Sequence, residues 1–280
     1  MTGKSIAAFL CAGLFLTACA GGETGADRAL PEEHAAEIFT VTRLDGRTCA
    51  EAAQEINLDE CSGMVEIESG GEYVLRGSLE GRIVIDAYED EPVQLYLDGV
   101  EITSPAGPAV CCLGASKLIV TVVSDTENVL SDAADYEGYE DTQACLYSVP
   151  DLTLNGDGAL RVYGYHGDGI RSKDRVKILG AQAEVQAKGD GIRGNDGILL
   201  KQALVDVQSE AHGIRTANQG ADSKGVLEIQ GGTLSVVAGR NGIYAASDLY
   251  MTDCVCSVNS VQEKVRAEGM SHIAEGCLAK

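Results

Sequence analysis

The chain has 280 residues, a net charge of −22, 34 glycines, 3 phenylalanines and no tryptophan. It is long enough for one sizeable domain, but its core must be aliphatic, and short strands joined by tight glycine turns suit that composition, as in a β-solenoid or sandwich. The acidity argues against nucleic acid and anionic membrane as direct partners and favours cations, or ligands reached through bound cations; it also serves the solubility of a secreted protein.

Residues 1–18 read as the signal of a bacterial lipoprotein. Lys4 supplies the positive end, Ile6 to Phe15 the apolar stretch, and Leu16-Thr17-Ala18-Cys19 the lipobox. Cleavage there leaves Cys19 as the lipidated first residue, with 19–30 as a flexible polar tether. Ala20 suits outer-membrane sorting, so the expected place is the outer membrane or cell surface, with membrane contact through the lipid anchor only. A free secreted form is the alternative.

Export makes sense of the cysteines. Two of the ten fall in the signal and lipobox, and the remaining eight are an even number suited to disulfides in an oxidising compartment. Cys49 with Cys61, and Cys254 or Cys256 with Cys277, are local pairs; Cys145 with Cys111 or Cys112 would join neighbouring rungs. No paired CxxC knuckles occur and the histidines are scattered, which disfavours zinc.

Residues 31–69 form an N-terminal cap, with Thr48 placed to start a helical piece through Ala50-Glu51-Ala52-Ala53-Gln54. From Gly70 the texture changes to short strands: Tyr73-Val74-Leu75, Arg82 to Ile85, Val93 to Leu97, Leu118 to Val122 and Leu152-Thr153-Leu154. The acidic stretch 131–142 reads as a solvated loop. Then the chain repeats itself: Asp168-Gly169-Ile170, Asp190-Gly191-Ile192 and His212-Gly213-Ile214 follow at a spacing of 22 residues. The next step, Gly213 to Gly242, is 29 residues, so a loop is inserted around Asn218 to Ser223. Each unit carries a Gly-Ile turn and two short strands. This predicts an all-β fold, a right-handed parallel β-helix with about 22 residues per rung over 70–259. A β-sandwich would not require the repeated turn. Residues 260–280 form a C-terminal cap, where Ser260-Val261-Gln262-Glu263 is a capping-box pattern for a short helix.

In such a stack Asp168 faces Asp190, and Asp174 faces Asp196, one rung apart. Single Asp-Gly pairs are turn chemistry. Like charges in register repel, however, and Ca²⁺ between the carboxylates would relieve the repulsion. The pattern fades at His212 and Asn241, where an ion column should end. The basic residues of the same turns, Arg171, Lys173, Lys188, Arg193 and Arg215, suit uronate carboxylates or a base for eliminative cleavage, or else balance the neighbouring Asp. Tyr163, Tyr165 and Tyr244 are the sugar-facing aromatics. No Ser/His/Asp order, phosphate loop or HExxH motif is present.

With its twin Gly-Asp-Gly-Ile-Arg turns, Gly71-Glu72-Tyr73-Val74-Leu75-Arg76-Gly77 and Val93-Gln94-Leu95-Tyr96-Leu97-Asp98-Gly99-Val100, the chain resembles a family of bacterial carbohydrate-binding proteins. These are calcium-binding right-handed parallel β-helices similar in fold to pectate lyases, and the match covers roughly Gly70 to Val258. The resemblance implies surface display, Ca²⁺ between rungs held by Asp168, Asp174, Asp190 and Asp196, and binding of cell-wall polysaccharide such as cellulose or polygalacturonate. The expected function is calcium-dependent carbohydrate binding without catalysis, with Arg171, Lys173, Arg193, Arg215, Tyr165 and Tyr244 as sugar contacts. A polysaccharide lyase using a Lys or Arg base, and a structural surface adhesin, are the alternatives.

Overall fold

The structure, a computed structural model, describes residues 39–50, 52–88, 90–136, 142–220 and 223–279. The signal, the tether, Cys19 and the first part of the N-terminal cap lie outside the described residues. The strands are β1 (Gln54–Asn57), β2 (Gly63–Ile67), β3 (Gly71–Asp86), β4 (Pro92–Thr103), β5 (Val110–Gly114), β6 (Lys117–Val122), β7 (Glu127–Ser131) and β8 (Ala144–Ser148). There follow β9 (Leu152–Gly156), β10 (Ala159–Gly164), β11 (Asp168–Ser172), β12 (Arg175–Leu179), β13 (Gln182–Ala187), β14 (Ile192–Gly194), β15 (Gly197–Lys201) and β16 (Leu204–Ser209). The last rungs hold β17 (Ile214–Thr216), β18 (Val226–Gln230), β19 (Thr233–Ala238), β20 (Ile243–Ala245), β21 (Leu249–Thr252), β22 (Val255–Ser260), β23 (Val265–Ala267) and β24 (Ser271–Ile273).

The named strands pair in parallel with strands of the adjacent rung, which makes the fold a parallel β-helix. One face runs β6–β9–β12–β15–β18–β21–β24. A second runs β7–β10–β13–β16–β19–β22, and a third β5–β8–β11–β14–β17–β20–β23. The long strands β3 and β4 bend around corners and serve more than one face.

Alternation within each strand sends every second side chain inward, and register stacks those side chains into columns. Val162, Val185, Val207, Val236 and Val258 form one column; Leu146, Ile170, Ile192, Ile214 and Ile243 form another, and nearly all are fully buried. The Ile of the Gly-Ile signature is therefore a core residue. Its Gly is required by close approach: a Cβ on Gly191 would lie 2.2 Å from Val207 Cγ1 and 2.6 Å from the Gly213 carbonyl oxygen. Gly169, Gly213 and Gly242 meet the next rung in the same way. A different corner repeats left-handed backbone, at Gly180, Gln202, Gly231, Asp253 and Gly276, with φ between 52° and 87°.

Several expectations are corrected. The solenoid begins before Gly70, because β1 pairs with β3 and β2 pairs with the end of β3, and it continues beyond residue 259 through β23 and β24. The described residues from Thr48 to Gln54 form no helix, Glu51 lying outside them; Gln54 instead enters a strand beside Tyr73, and one turn of 3-10 helix follows only at Leu58–Glu60. The capping-box pattern at Ser260 does not start a helix either. Val265 packs at the end of the inward column beside Ile243, and the Glu263 N–H donates to Asn241 Oδ1 at 3.0 Å, so tertiary stacking overrides the local helix signal. The acidic loop is not wholly solvated, since Asp132 and Tyr136 are buried.

An extended segment, 39–47, lies along the outside of the first face. Phe39 packs over Gly197, Lys177 Nζ donates to the Thr40 carbonyl at 2.9 Å, and Gln94 Nε2 donates to the Arg47 carbonyl at 2.9 Å. Between them the fully buried Asp45 accepts from Lys117 Nζ at 2.8 Å and Thr153 Oγ1 at 2.6 Å. Burial opposes its charge, but these hydrogen bonds win and hold its carboxyl down at about 2.

Candidate functional site

On the third face the outward position beside the core isoleucines carries Tyr147, Arg171, Arg193, Arg215, Tyr244 and Arg266 in direct register. Neighbouring strands stand about 4.8 Å apart, so Arg171, Arg193 and Arg215 place three guanidiniums in one column. An aromatic ring bounds that column at each end. The Arg215 guanidinium lies 5.9 Å from the Tyr244 ring centroid, and the His212 ring lies 5.3 Å from the same ring.

The Asp residues of the repeat sit beside this column and are already engaged. Asp168 Oδ1 accepts the Asp190 N–H at 2.7 Å, and Asp190 Oδ1 accepts the His212 N–H at 3.1 Å. Asn241 repeats the bond to Glu263 two rungs later. A carboxylate and an amide thus do the same work, linking the turn of one rung to the turn of the next. The remaining Asp190 oxygen faces Arg215 Nη1 at 3.1 Å and Arg193 Nη1 at 3.8 Å, while Asp168 Oδ2 has only Arg171 Nη1 at 3.6 Å.

Charge at the column is not balanced. Burial, and then the neighbouring Asp190, push the Asp168 carboxyl up to about 6, and burial followed by Arg171 pulls the Arg193 guanidinium below its ordinary value. Three cations face two carboxylates, one of them reluctant to ionise. Arg171 Nε, Arg215 Nε and His212 Nδ1 are buried without a hydrogen-bond partner, although the three arginine side chains remain 14–29 % exposed. Three partly exposed guanidiniums in one column, on a chain of net charge −22, are arranged for an anion.

The other predicted residues lie elsewhere. Asp174 and Asp196 stack at the far end of β11 and β14, the Asp196 N–H donating to the Asp174 carbonyl at 2.8 Å. Asp168 opens β11 and Asp174 lies in the bend beyond its last residue, Ser172, about 13 Å of strand away, so the four carboxylates do not converge. Asp196 is held by Lys224 at 2.7 Å and by Asn218. Among the described residues no group of three or more His, Cys, Asp or Glu is disposed to hold a metal ion. At Asp168 and Asp190 backbone amides and guanidiniums engage three of the four carboxylate oxygens, and Asp168 Oδ2 is buried without a hydrogen-bond partner. Lys173 is exposed at the end of β11, outside the arginine column. Tyr165 is half exposed and stacks on Tyr163 with centroids 6.0 Å apart, at the corner that leads into Asp168.

Sequence reasoning missed Tyr147, which follows the acidic insertion and lies 24 residues before Arg171 rather than 22; the matching triplets Leu146-Tyr147-Ser148 and Ile170-Arg171-Ser172 were the available signal. It also missed a buried cluster at the start of that insertion. Tyr136 donates its hydroxyl to Asp132 Oδ2 at 2.7 Å and stacks on His166 with centroids 4.0 Å apart. Burial pushes the Asp132 carboxyl up to about 6 despite these bonds.

The fold and this column define the class: a β-solenoid with a polar, aromatic-bounded strip along one face. Comparison with known proteins agrees. The family model of carbohydrate-binding domain-containing proteins matches residues 62–280. A relative from Acetivibrio thermocellus carrying the same description is 39% identical over 238 residues, 81% of this chain and 83% of the relative. The solved structure of a polysaccharide lyase-like protein from C. thermocellum, a gadolinium derivative, superposes with a TM-score of 0.76 at 30% identity, covering 78% of this chain and 90% of that one. The chain belongs to the carbohydrate-binding domain-containing family.

Proposed function

We propose that the protein binds polysaccharide bearing acidic sugar residues along the Arg171–Arg193–Arg215 column, and does so without cleaving it. The observation that carries this is the register of Arg171, Arg193 and Arg215 in one partly exposed column bounded by Tyr244. Arg171 Nε and Arg215 Nε lack a hydrogen-bond partner there, while Arg193 Nε donates to Asn195 Oδ1 at 3.0 Å. A guanidinium presents a planar fork that matches a carboxylate in two hydrogen bonds, and the Tyr244 ring offers an apolar surface for a sugar face. The rung spacing repeats the same donor at intervals of about 4.8 Å, so an extended glycan laid along the solenoid axis meets several arginines at once. Multiple weak contacts on one chain then add as avidity.

Affinity electrophoresis in gels containing polygalacturonate or a neutral β-glucan tests this reading. Retardation by the acidic polymer alone, lost in Arg193→Ala, supports it; equal retardation by the neutral polymer would move the site off the arginine column. Unsaturated product, followed by its ultraviolet absorbance, would replace binding by a lyase reading in which Arg193, its proton loosened between two other guanidiniums, serves as base. No step here is routed through Ca²⁺, and chelator in the same gels is expected to leave retardation unchanged. We further propose that the signal and lipobox at 16–19 tether the solenoid to a membrane through lipid on Cys19; metabolic labelling with a radioactive fatty acid, absent in Cys19→Ser, checks it.

A further inference from the structure

The C-terminal end of the solenoid holds three thiols. Cys254, Cys256 and Cys277 are each buried, and Cys254 Sγ lies 3.7 Å from Cys256 Sγ. The left-handed corner explains how the third arrives. Gly180, Gln202, Gly231, Asp253 and Gly276 occupy that corner in successive turns, and the residues that follow them are Ala181, Ala203, Gly232, Cys254 and Cys277. Small residues fill the position in the earlier rungs because the corner is tight: a Cβ on Gly232 would lie 2.2 Å from the Ala203 carbonyl oxygen. In the last place the register, Met251 beside Ile273 and Cys256 beside Leu278, sets Gly276 against Cys254, so Cys277 stands one residue past it and diagonal to Cys254. The tail is seated there by backbone bonds, the Cys256 N–H donating to the Cys277 carbonyl and the Ala279 N–H to the Cys256 carbonyl, both at 2.8 Å.

We propose that Cys254 and Cys277 form a rung-to-rung disulfide that locks the C-terminal tail over the open end of the core. A neighbour on the adjacent rung offset by one residue has its Cα about 5.8 Å away, inside the window of roughly 4.4–6.8 Å that a disulfide needs. Cys254 and Cys256 are neighbours along one extended stretch, about 6.6 Å apart by chain geometry, at the outer limit of that window. Of the two thiols on β22's side of the corner, Cys254 is the one that takes the Cys277 side chain as its neighbouring partner. No described group of side chains is disposed to hold a metal there, so the three thiols have no such alternative use.

The chemistry is a two-electron exchange with a disulfide oxidant. The Cys254 and Cys277 S–H bonds and the oxidant's S–S bond break, the new S–S bond forms, and the oxidant leaves as two thiols carrying the two hydrogens. Exchange proceeds through a thiolate, and burial pushes the Cys254 and Cys256 thiols up, so the bond forms while the tail is undocked and is shielded once the tail closes.

The test uses the full-length reduced protein, equilibrated with oxidised glutathione, quenched with an alkylating agent in denaturant and digested without reductant. A cross-linked peptide joining Cys277 to the Cys254 segment is expected in the wild type and in Cys256→Ser, and is lost in Cys254→Ser. Absence of any Cys277 cross-link in the wild type, or a cross-link that survives Cys254→Ser and disappears in Cys256→Ser, overturns the proposal. Cleavage of the tail by a carboxypeptidase gives a second reading, slowed several-fold on oxidation of the wild type and unchanged for Cys277→Ser. The outcome is independent of glycan binding.

Discussion

The Asp168 carboxylate accepts the backbone N–H of Asp190, its counterpart one rung on, at 2.7 Å. The contact that looks in sequence like charge facing charge is therefore an acceptor facing a donor. Since Asn241 makes the equivalent bond, Asp168→Asn is expected to fold with little loss, whereas Asp168→Ala leaves the Asp190 N–H buried without an acceptor and loses about 1–3 kcal/mol. Urea denaturation of the two variants separates these outcomes.

The raised carboxyls give the fold a pH signature. Asp168 and Asp132 each titrate near 6 when folded, above the ordinary 3.8, so the folded state binds more protons than the unfolded chain between those values. Their contribution is fully present below about pH 4 and is lost as pH rises through about 6, by about 3 kcal/mol for each group. The thermal midpoint across that window should decline less steeply in Asp168→Asn than in the wild type. An unchanged slope would show that Asp168 titrates normally.

The glycines of the repeat offer a sharper contrast. Gly191→Ala drives a Cβ into Val207 and the Gly213 carbonyl, and backbone on the next rung cannot retreat without moving its whole turn. A loss of about 3 kcal/mol or more is expected. Gly180 has left-handed backbone but stands in open space, with no atom within 4 Å of the place a methyl group would take, so Gly180→Ala should lose only the conformational strain, about 1 kcal/mol. Denaturant midpoints of the pair measure the difference.

What the repeat told in sequence and what it concealed follow from the same geometry. Gly-Ile recurs because one rung's Gly lets the next rung approach and its Ile fills the core, so the period reported the stacking directly. The acidic position recurs for an equally structural reason, a side-chain acceptor for the next turn, and the cations that face Asp190, Arg193 and Arg215, come from strands of its own and the next rung. Arg171, Arg193 and Arg215 were legible as candidates, but their alignment with Tyr147 and Tyr244 was not, since insertions of different length break the count on both sides. The helical patterns after Thr48 and Ser260 failed for a shared cause: a strand edge open at each end of the solenoid recruits whatever chain lies nearest.

Binding along the arginine column should depend on the guanidinium fork as well as on charge. Arg193→Lys keeps the cation but offers a single point donor, and is expected to weaken acidic-glycan affinity about tenfold while retaining salt sensitivity. Arg193→Ala should lose both. Titration calorimetry with oligogalacturonate at two ionic strengths distinguishes them, and equal affinity for Lys and Arg would argue for a diffuse electrostatic contact.

The segment that crosses the first face depends on Asp45. Its carboxylate gathers Lys117 and Thr153 while the Asn155 amide donates to its carbonyl at 2.7 Å, and Lys177 Nζ lies 3.7 Å away. Asp45→Ala leaves buried lysine charge without its partner, a loss of about 3 kcal/mol or more if the segment stays docked. Release of the segment lets Lys117 and Lys177 reach water and lowers that loss, at the expense of exposing Phe39 and the 39–47 backbone. The depressed carboxyl sets the acid limit: the stabilisation is present above about pH 4 and is lost as pH falls through about 2. Limited proteolysis should therefore cut wild-type protein within 39–47 only in strong acid, with an acid-active protease, and should cut Asp45→Ala there at neutral pH. Resistance of Asp45→Ala at neutral pH would mean that the carbonyl contacts of Thr40 and Arg47 hold the segment without the ion pair.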